Sequence, residues 1–285
     1  MPNHFHYLEG QFRLARLFEY GITENFLKGK QVGGAKIFKK EYQFVEKNGV
    51  YTFLVQIERE KESNRHNISV ISDDELECIT VFIYKEFNVA ILHNMSYFEG
   101  CAKEGLRKPG GGTILLKFIL NFLTQNKDEF EINKIALTDY SFLNCPSCRD
   151  TIKLSRLRLI TKGKTWYQSY GFLPVDPDKY TLNKGLDFAI QNNNRIISKM
   201  KTNDINLSNV VKKMDKKERQ GIDLKELQRI IKKYPMLREF VIRLQKEFVK
   251  YCCLLFHITN ELYVPSLGKN PVLVDVFKTS FYLPL

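Results

Sequence analysis

The stretch KEGLRKPGGGTILLKFILNFL, residues 103–123, joins a basic lead-in to an apolar run through three consecutive glycines at 110–112. The apolar residues after the glycines recur with the 3.6-residue period of an α-helix, which predicts a helix over 113–124 that is buried on most of its surface. Only Lys117 and Asn121 are expected to face outward. The sequence therefore predicts a glycine loop that opens directly onto the N-terminus of a buried helix.

Glycines before a helix N-terminus are suited to binding phosphate. The first backbone N–H groups of a helix are unpaired and lie at the positive end of its dipole, and glycine lets an anion approach the main chain. Two known phosphate-binding sequence patterns do not match. A P-loop has a lysine directly after its last glycine, but Gly112 is followed by Thr113, and the dinucleotide fingerprint needs a third glycine that does not follow at the required spacing. If the glycines bind no ligand, they form a flexible linker or a tight turn.

Strand patterns surround the glycine loop. Asn48-Gly49 predicts a two-residue hairpin turn between the first two strands. After the loop, KIALTDYS at 134–141 predicts a buried strand, and a helical pattern through TWYQSYGF ends at Gly171 as a glycine C-cap. The segment at 12–28 predicts an opening helix. The strands predicted before the loop span 36–45, 50–58, 67–72, 77–84 and 88–97.

Two motifs resemble those of the GNAT-type N-acetyltransferase superfamily. The segment RKPGGG at 107–112 matches R/Q-x-x-G-x-G/A, the pyrophosphate-binding motif of that family, which also lies between a long strand and a helix. Tyr167-x-x-x-Gly171-Phe172 matches the family's Tyr-x-x-x-Gly-Phe, with one helix, one strand and a second helical pattern in the interval. The resemblance covers roughly residues 36–176. It implies an α+β fold with a mixed, mostly antiparallel sheet flanked by helices.

The resemblance also implies an acetyl-coenzyme A dependent N-acetyltransferase, in which a primary amine attacks the thioester directly. The splayed strands at 88–97 and 134–141 would bind the thioester and pantetheine. Insertions at 97–106 and 142–161, relative to the family, border the acceptor side and leave open whether the amine belongs to a small molecule or to a protein. The coenzyme A pyrophosphate would be held by Arg107, Lys108, Gly110, Gly111, Gly112 and Thr113.

Acetyl transfer needs an amine that loses a proton and a thiolate that gains one. By resemblance, Tyr167 maps to the family's acid, although packing against coenzyme A or the core is an alternative role. The base is an Asp, Glu or His whose position varies within the family. Asp139 and His93 are the candidates, because each belongs to a strand expected to flank the site; a lone histidine on a strand is more often a packed or surface residue.

Near residue 181 the sequence pattern changes to that of long amphipathic helices, which divides the chain. We predict an acetyltransferase-like domain over 1–180, a basic helical region over 181–260, and a C-terminal segment, 261–285, with β-like alternation that could return to the sheet. Residues 1–180 hold 25 Lys/Arg and 22 Asp/Glu, a balance of +3, whereas residues 181–285 hold 19 and 10, a balance of +9. The predicted helices span 184–199, 207–216, 224–233 and 236–259.

The basic excess supports a second hypothesis. A catalytically inactive GNAT-like module could use the helical region to engage nucleic acid or a protein scaffold, since lysine and arginine clusters contact phosphates. Against nucleic acid, acidic residues are interleaved with the basic ones at helical spacing, as on ordinary solvated helix faces. The Asn, Lys and Ile richness is compatible with an AT-rich genome such as that of a large DNA virus.

The cysteines favour a cytoplasmic protein with reduced thiols, because they are scattered and partly adjacent. Cys145 and Cys148 have zinc-site or redox spacing, but no second Cys or His pair follows at zinc-site distance, so no metal is predicted. The segment at 214–227 is not a calcium loop, since lysine and arginine occupy two ligand positions. Neither a membrane span nor a signal peptide is indicated.

Overall fold

The computed structural model describes residues 22–26, 30–32, 35–47, 49–60, 65–106, 110–146, 148, 150–176, 181–264 and 272–285. The chain divides into two compact units. The first contains residues 1–138 together with 281–285, and the second contains residues 139–280. The protein is a mixed α+β protein with a large, mostly antiparallel sheet, as the sequence predicts.

The first unit is built on a sheet in which β3 to β7 form an antiparallel meander. Strand β8 pairs with β7 in parallel, and the order of neighbours is β1-β3-β4-β5-β6-β7-β8-β13, with β2 also paired to β3. The strands are β1 (Ile22–Phe26), β2 (Lys30–Val32), β3 (Ala35–Glu46), β4 (Gly49–Glu60), β5 (Arg65–Ile71), β6 (Glu77–Tyr84), β7 (Val89–Met95), β8 (Lys134–Thr138) and β13 (Ser280–Pro284).

The hairpin is confirmed, since β3 and β4 are antiparallel, but the turn predicted at Asn48-Gly49 is displaced: Gly49 pairs with Glu46 and belongs to β4. Asn48 itself lies outside the described residues. The opening helix predicted over 12–28 is wrong where the structure describes it, because Ile22–Phe26 forms strand β1 against β3. Five residues satisfy the helical periodicity only weakly, so pairing with the edge of the sheet decides their conformation.

Helices α1 (Gly111–Gln125) and α2 (Lys127–Phe130) connect β7 to β8. Helix α1 covers the apolar face of the sheet: Phe118 is fully buried and stacks on Phe53 with ring centroids 4.2 Å apart. Lys117 forms an ion pair with Glu46 at 2.9 Å. Asn121 is buried, so the outward orientation predicted for it is wrong. Every residue from 118 to 123 is buried, which shows that the helix is covered on all sides there.

The second unit is mainly helical, with a core of its own. It contains two small antiparallel hairpins, β9 (Phe142–Asn144) with β10 (Thr151–Lys153), and β11 (Leu173–Asp176) with β12 (Thr181–Leu182). Its helices are α3 (Leu154–Lys162), α4 (Lys184–Lys199), α5 (Leu207–Lys213), α6 (Leu224–Lys233), α7 (Leu237–Gln245) and α8 (Phe248–Tyr263). The insertion over 142–161 is therefore a hairpin followed by most of a helix.

The helical pattern predicted to end at Gly171 divides into two parts. Helix α3 ends at Gly163, and a short 3-10 turn over Tyr167–Tyr170 ends at Gly171; both glycines are left-handed C-caps, with φ of 71° and 92°. The long helix predicted over 236–259 is also two helices, because Glu247 leaves helical dihedrals at φ −115° and ψ 51°. Neither glycine nor proline marks that break, so periodicity could not reveal it.

The cysteine prediction is not supported by the sulfur positions. Cys78 and Cys101 are paired in the first unit, with Cα atoms 5.8 Å apart, and Cys145 and Cys252 are paired in the second, with Cα atoms 5.5 Å apart. The reduced state predicted for these thiols is therefore not shown. None of the helices in the described ranges is both long enough and apolar enough to cross a membrane.

Candidate functional site

The glycine loop begins helix α1 as the sequence pattern predicts. Gly110 is the N-cap, with φ of 114°, a left-handed conformation that favours glycine. Its carbonyl accepts hydrogen bonds from the backbone N–H groups of Thr113 at 2.9 Å and Ile114 at 3.1 Å. The N–H groups of Gly111 and Gly112 precede the first intrahelical bond and have no acceptor in the part of the chain that the structure describes. Two adjacent donors are thus available at the positive end of a 15-residue helix.

Tyr97, which sequence reasoning overlooked, braces this loop. Its phenol donates a hydrogen bond to the carbonyl of Leu106 at 2.9 Å, and its ring lies directly against Gly111. A Cβ atom added to Gly111 would lie 2.0 Å from the ring, so only glycine fits there. Gly112 differs, because the nearest atom to an added Cβ is the Tyr97 Cβ at 3.9 Å. Gly111 is therefore required by packing, whereas Gly112 leaves open space where an anion could approach.

Strands β7 and β8 are neighbours in the sheet and run parallel, and α1 and α2 connect them in the chain. Their pairing ends at Leu92 and Leu137, although β7 continues to Met95 along β6. At the same level β7 bulges: Val81 pairs with Leu92 and Thr80 with Asn94, which leaves His93 as an extra residue. A bulge bends its strand and increases the local twist. Beyond Leu92, the edge of β7 that faces β8 is thus no longer part of the parallel ladder.

His93, a candidate base, lies at this bulge in the first unit. Its side chain is exposed, and its ring packs against Phe82 with centroids 4.9 Å apart. The guanidinium of Arg65 lies 4.0 Å from the centre of the same Phe82 ring and forms a cation–π contact with it. The histidine belongs to a solvated aromatic and basic surface of the sheet, and the role of base remains a prediction.

Asp139, the other candidate base, is fully buried in the second unit. One carboxylate oxygen accepts hydrogen bonds from the backbone N–H of Ser141 at 2.9 Å and from the Ser141 hydroxyl. The other oxygen has no hydrogen-bond partner among the described residues. Burial raises the pKa of Asp139 above its usual range, and the Ser141 hydrogen bonds only partly oppose that increase. A buried carboxyl with one free oxygen and a raised pKa has the properties of a general base.

Tyr167 lies in the same unit on the short 3-10 turn. Its ring is buried between Trp166, at a centroid distance of 5.1 Å, and Phe172, at 5.8 Å. Burial raises its pKa, and the nearby charge of Asp139 raises it further. Tyr167 is therefore protonated at neutral pH and able to donate a hydrogen bond. The motif residues Tyr167 and Phe172 pack together as one aromatic group, and Asp139 is close enough for its charge to act on the phenol.

The predicted site residues thus fall into groups. Gly110, Gly111, Gly112 and Thr113 lie together at the N-terminus of α1, whereas Arg107 and Lys108 lie outside the described residues. Asp139 and Tyr167 belong to the second unit and His93 to the first. Tyr97 could have been anticipated only from its closeness in sequence to the glycine loop, since an isolated tyrosine after a strand has no distinguishing pattern.

Comparison with known proteins adds no family assignment: no protein-family model, curated protein or solved structure matches this chain.

Proposed function

We propose that the protein binds an acyl-coenzyme A, acetyl-coenzyme A in the first instance, and transfers the acyl group to a primary amine. The observation that carries the proposal is the glycine-opened N-terminus of α1, the helix that connects two neighbouring parallel strands in the chain. The RKPGGG and Tyr-x-x-x-Gly-Phe motifs that resemble GNAT-type acetyltransferases support the same function. Acetyl-coenzyme A supplies the acyl group as a thioester.

The geometry of the loop fits a pyrophosphate. The N–H groups of Gly111 and Gly112 have no acceptor within the described chain, and the dipole of α1 adds a partial positive charge at the same point. Tyr97 fixes the loop from one side through Leu106 and Gly111, so the donors are held in place before a ligand arrives. Such preorganisation reduces the entropy lost on binding.

The strand ends fit the acyl end of the same ligand. Past Leu92, backbone groups on the β8 side of β7 are released from the parallel ladder and can bind a carbonyl oxygen and an extended amide chain. In the family that the sequence resembles, the corresponding splayed strands do this. The proposed roles of this chain are therefore to orient the thioester by main-chain hydrogen bonds and to hold the phosphates at the helix.

Asp139→Asn should separate catalysis from stability. Because folding raises the pKa of Asp139, its stabilising contribution is complete below its unfolded pKa of about 4 and is lost as the pH rises through the folded pKa. Asparagine keeps an oxygen that accepts from Ser141 but carries no charge. The variant should therefore be more stable than the wild type at pH 7 and not at pH 4, as urea unfolding would measure.

The same variant tests catalysis. If Asp139 is the base, the rate of acyl transfer should fall by about 10²–10⁴-fold; full activity would remove Asp139 from the mechanism.

Tyr167→Phe should slow acyl transfer while leaving coenzyme A affinity nearly unchanged. The substitution keeps the ring contacts with Trp166 and Phe172 and removes only the hydroxyl. Loss of a proton or hydrogen-bond donor to the leaving thiolate is expected to reduce the rate constant about 10²-fold or more. Single-turnover transfer and calorimetric affinity, measured on the same preparation, would test this. An unchanged rate constant would leave Tyr167 with a packing role only.

The proposal as a whole is tested by titrating the purified protein with acetyl-coenzyme A in a calorimeter and then incubating it with a panel of amines. The panel should contain polyamines, aminoglycosides and lysine peptides, with products identified by mass spectrometry. Saturable binding with acetylation of at least one amine class is the expected result. Absence of binding would overturn the proposal. Binding without transfer to any amine would favour the catalytically inactive module.

A further inference from the structure

Four of the six cysteines meet in one place in the second unit. Cys145 and Cys148 come from the CPSC turn after β9, and Cys252 and Cys253 come from the middle of α8, more than 100 residues later. The sulfur atoms of Cys145, Cys252 and Cys253 all lie within 4.8 Å of one another. Cys148 and Cys253 form a second such group with a Glu218 carboxylate oxygen. Cys253 belongs to both groups and connects them.

One distance in the cluster, between the sulfurs of Cys145 and Cys253, matches that of metal ligands, whereas Cys145 and Cys252 are joined by a disulfide and would have to separate on reduction. The sulfurs of Cys145 and Cys253 are 3.7 Å apart, and the edge of a tetrahedron with zinc–sulfur bonds of about 2.3 Å is about 3.8 Å. The CPSC turn is closed by a hydrogen bond from the Cys148 N–H to the Cys145 carbonyl at 3.3 Å. The backbone N–H of Asp150 in turn donates to the Cys148 sulfur. Backbone donors directed at cysteine sulfur stabilise a bound thiolate.

A simple thiol–disulfide relay fits the cluster less well. Exchange would require the Cys253 sulfur to attack Cys145 along the axis of its bond to Cys252. The two outer sulfurs would then be roughly 5.7 Å apart, the 3.7 Å contact plus a bond of about 2.0 Å. The structure instead keeps all three sulfurs within 4.8 Å, as a compact triangle. The three sulfurs are therefore not in line for attack, and once the Cys145–Cys252 bond is reduced they are close enough to share an ion.

We propose that Cys145, Cys148, Cys252 and Cys253, when reduced, form a tetrahedral thiolate site for a soft divalent cation such as Zn²⁺. The site would join the CPSC turn to α8 and so fix the inserted hairpin onto the helical core. It is a structural site, because four protein ligands leave no open position for substrate. This inference does not depend on acyl transfer.

Formation of the site begins with reduction of the Cys145–Cys252 disulfide. A phosphine reductant with one water gives two electrons and two protons to the Cys145–Cys252 bond, which yields two thiols and a phosphine oxide. Four thiols then bind one Zn²⁺ and release four protons. Binding should accordingly weaken as the pH falls.

Glu218 and His257 border the cluster. One Glu218 oxygen accepts from the Cys148 thiol at 3.2 Å, and the other is 3.1 Å from His257 Nε2 and accepts from the Asp215 N–H at 3.0 Å. In the thiol form this carboxylate fixes the direction of Cys148 and is itself fixed by two donors. Metal binding would remove the thiol proton, so Glu218 would then keep only its contacts with His257 and Asp215.

The test is a Zn²⁺ and Co²⁺ titration of the full-length chain after phosphine reduction and removal of the phosphine, under anaerobic conditions. We expect one equivalent of Zn²⁺ per chain and, for Co²⁺, the thiolate charge-transfer and visible bands of a tetrahedral sulfur site. Cys148→Ser, at a half-buried position, should keep the fold by circular dichroism and lose stoichiometric metal and the Co²⁺ bands. The double variant Cys78→Ser/Cys101→Ser, which removes the paired cysteines of the first unit and leaves the cluster intact, should retain both.

Two results would overturn the proposal. One is a reduced wild-type chain that binds less than one equivalent of metal. The other is a folded Cys148→Ser variant that binds Zn²⁺ as tightly as the wild type. If Cys148→Ser does not fold, the wild-type Co²⁺ spectrum alone decides: bands of oxygen or nitrogen ligation without sulfur charge transfer would exclude the four-thiolate site.

Discussion

Replacing Gly112 by glutamate is expected to abolish coenzyme A binding without weakening the fold. A carboxylate in the first turn of α1 interacts favourably with the helix dipole by about 0.3–1 kcal/mol, and loss of glycine from a helix favours folding further. The same charge would repel a pyrophosphate: two unit charges about 4 Å apart interact by about 4 kcal/mol near a protein surface. Since about 1.4 kcal/mol is tenfold in affinity, calorimetry should show a loss of at least about 100-fold.

Two variants at the same position separate charge from size. Gly112→Ala adds one methyl group into space where the nearest atom lies at 3.9 Å, and the motif itself accepts alanine. It should bind within about threefold of the wild type, a change of less than about 0.7 kcal/mol. Gly112→Gln has the size of glutamate without its charge and should lie between the other two. Equal affinities for the Glu and Gln variants would show that no phosphate approaches this position.

Phe118→Ala should have the largest effect on stability, about 3–5 kcal/mol of unfolding free energy. The Phe118 ring stacks on Phe53 and meets Phe44 edge-on at 5.9 Å, so truncation leaves a cavity between α1 and the sheet. Because α1 carries the glycine loop, coenzyme A affinity should fall as well. Urea unfolding followed by circular dichroism measures the first effect.

The matched control is Phe87→Ala, which removes the same side chain at a surface position that is 55% exposed. Its unfolding free energy should change by no more than about 0.5 kcal/mol. Similar losses in both variants would mean that the packing of α1 on the sheet does not hold this unit together.

Strongly periodic segments were predictable from sequence, and their partners in space were not. The meander, α1, α4 and α6 follow from alternation, a hairpin signal and 3.6-residue periodicity, and α4 and α6 occupy the predicted ranges. The hairpin at 142–153 was missed, because two three-residue strands stabilised by each other and by a helical core carry little local signal. The break at Glu247 was missed for the same reason: it depends on packing rather than on a glycine or proline.

The same distinction between local and long-range features applies to the candidate sites. The glycine loop and the Tyr-x-x-x-Gly-Phe motif are local patterns, so sequence alone indicated them. The four-cysteine cluster combines residues separated by more than 100 positions, and only the fold brings Cys252 and Cys253 to the CPSC turn. The CPSC turn alone predicts no metal, because no second Cys or His pair follows it at zinc-site distance. The adjacent cysteines Cys252 and Cys253 lie on a buried helix that only the fold brings to that turn.

The central claim is that the main chain of the glycine loop binds the coenzyme A pyrophosphate. The most direct measurement is an amide correlation spectrum of ¹⁵N-glycine-labelled protein, with the Gly112 resonance identified by its absence in Gly112→Ala. Coenzyme A and ADP, which carry a pyrophosphate, should both shift the Gly111 and Gly112 resonances, and pantetheine, which has no phosphate, should not. Unchanged Gly111 and Gly112 resonances at saturating coenzyme A would contradict the account.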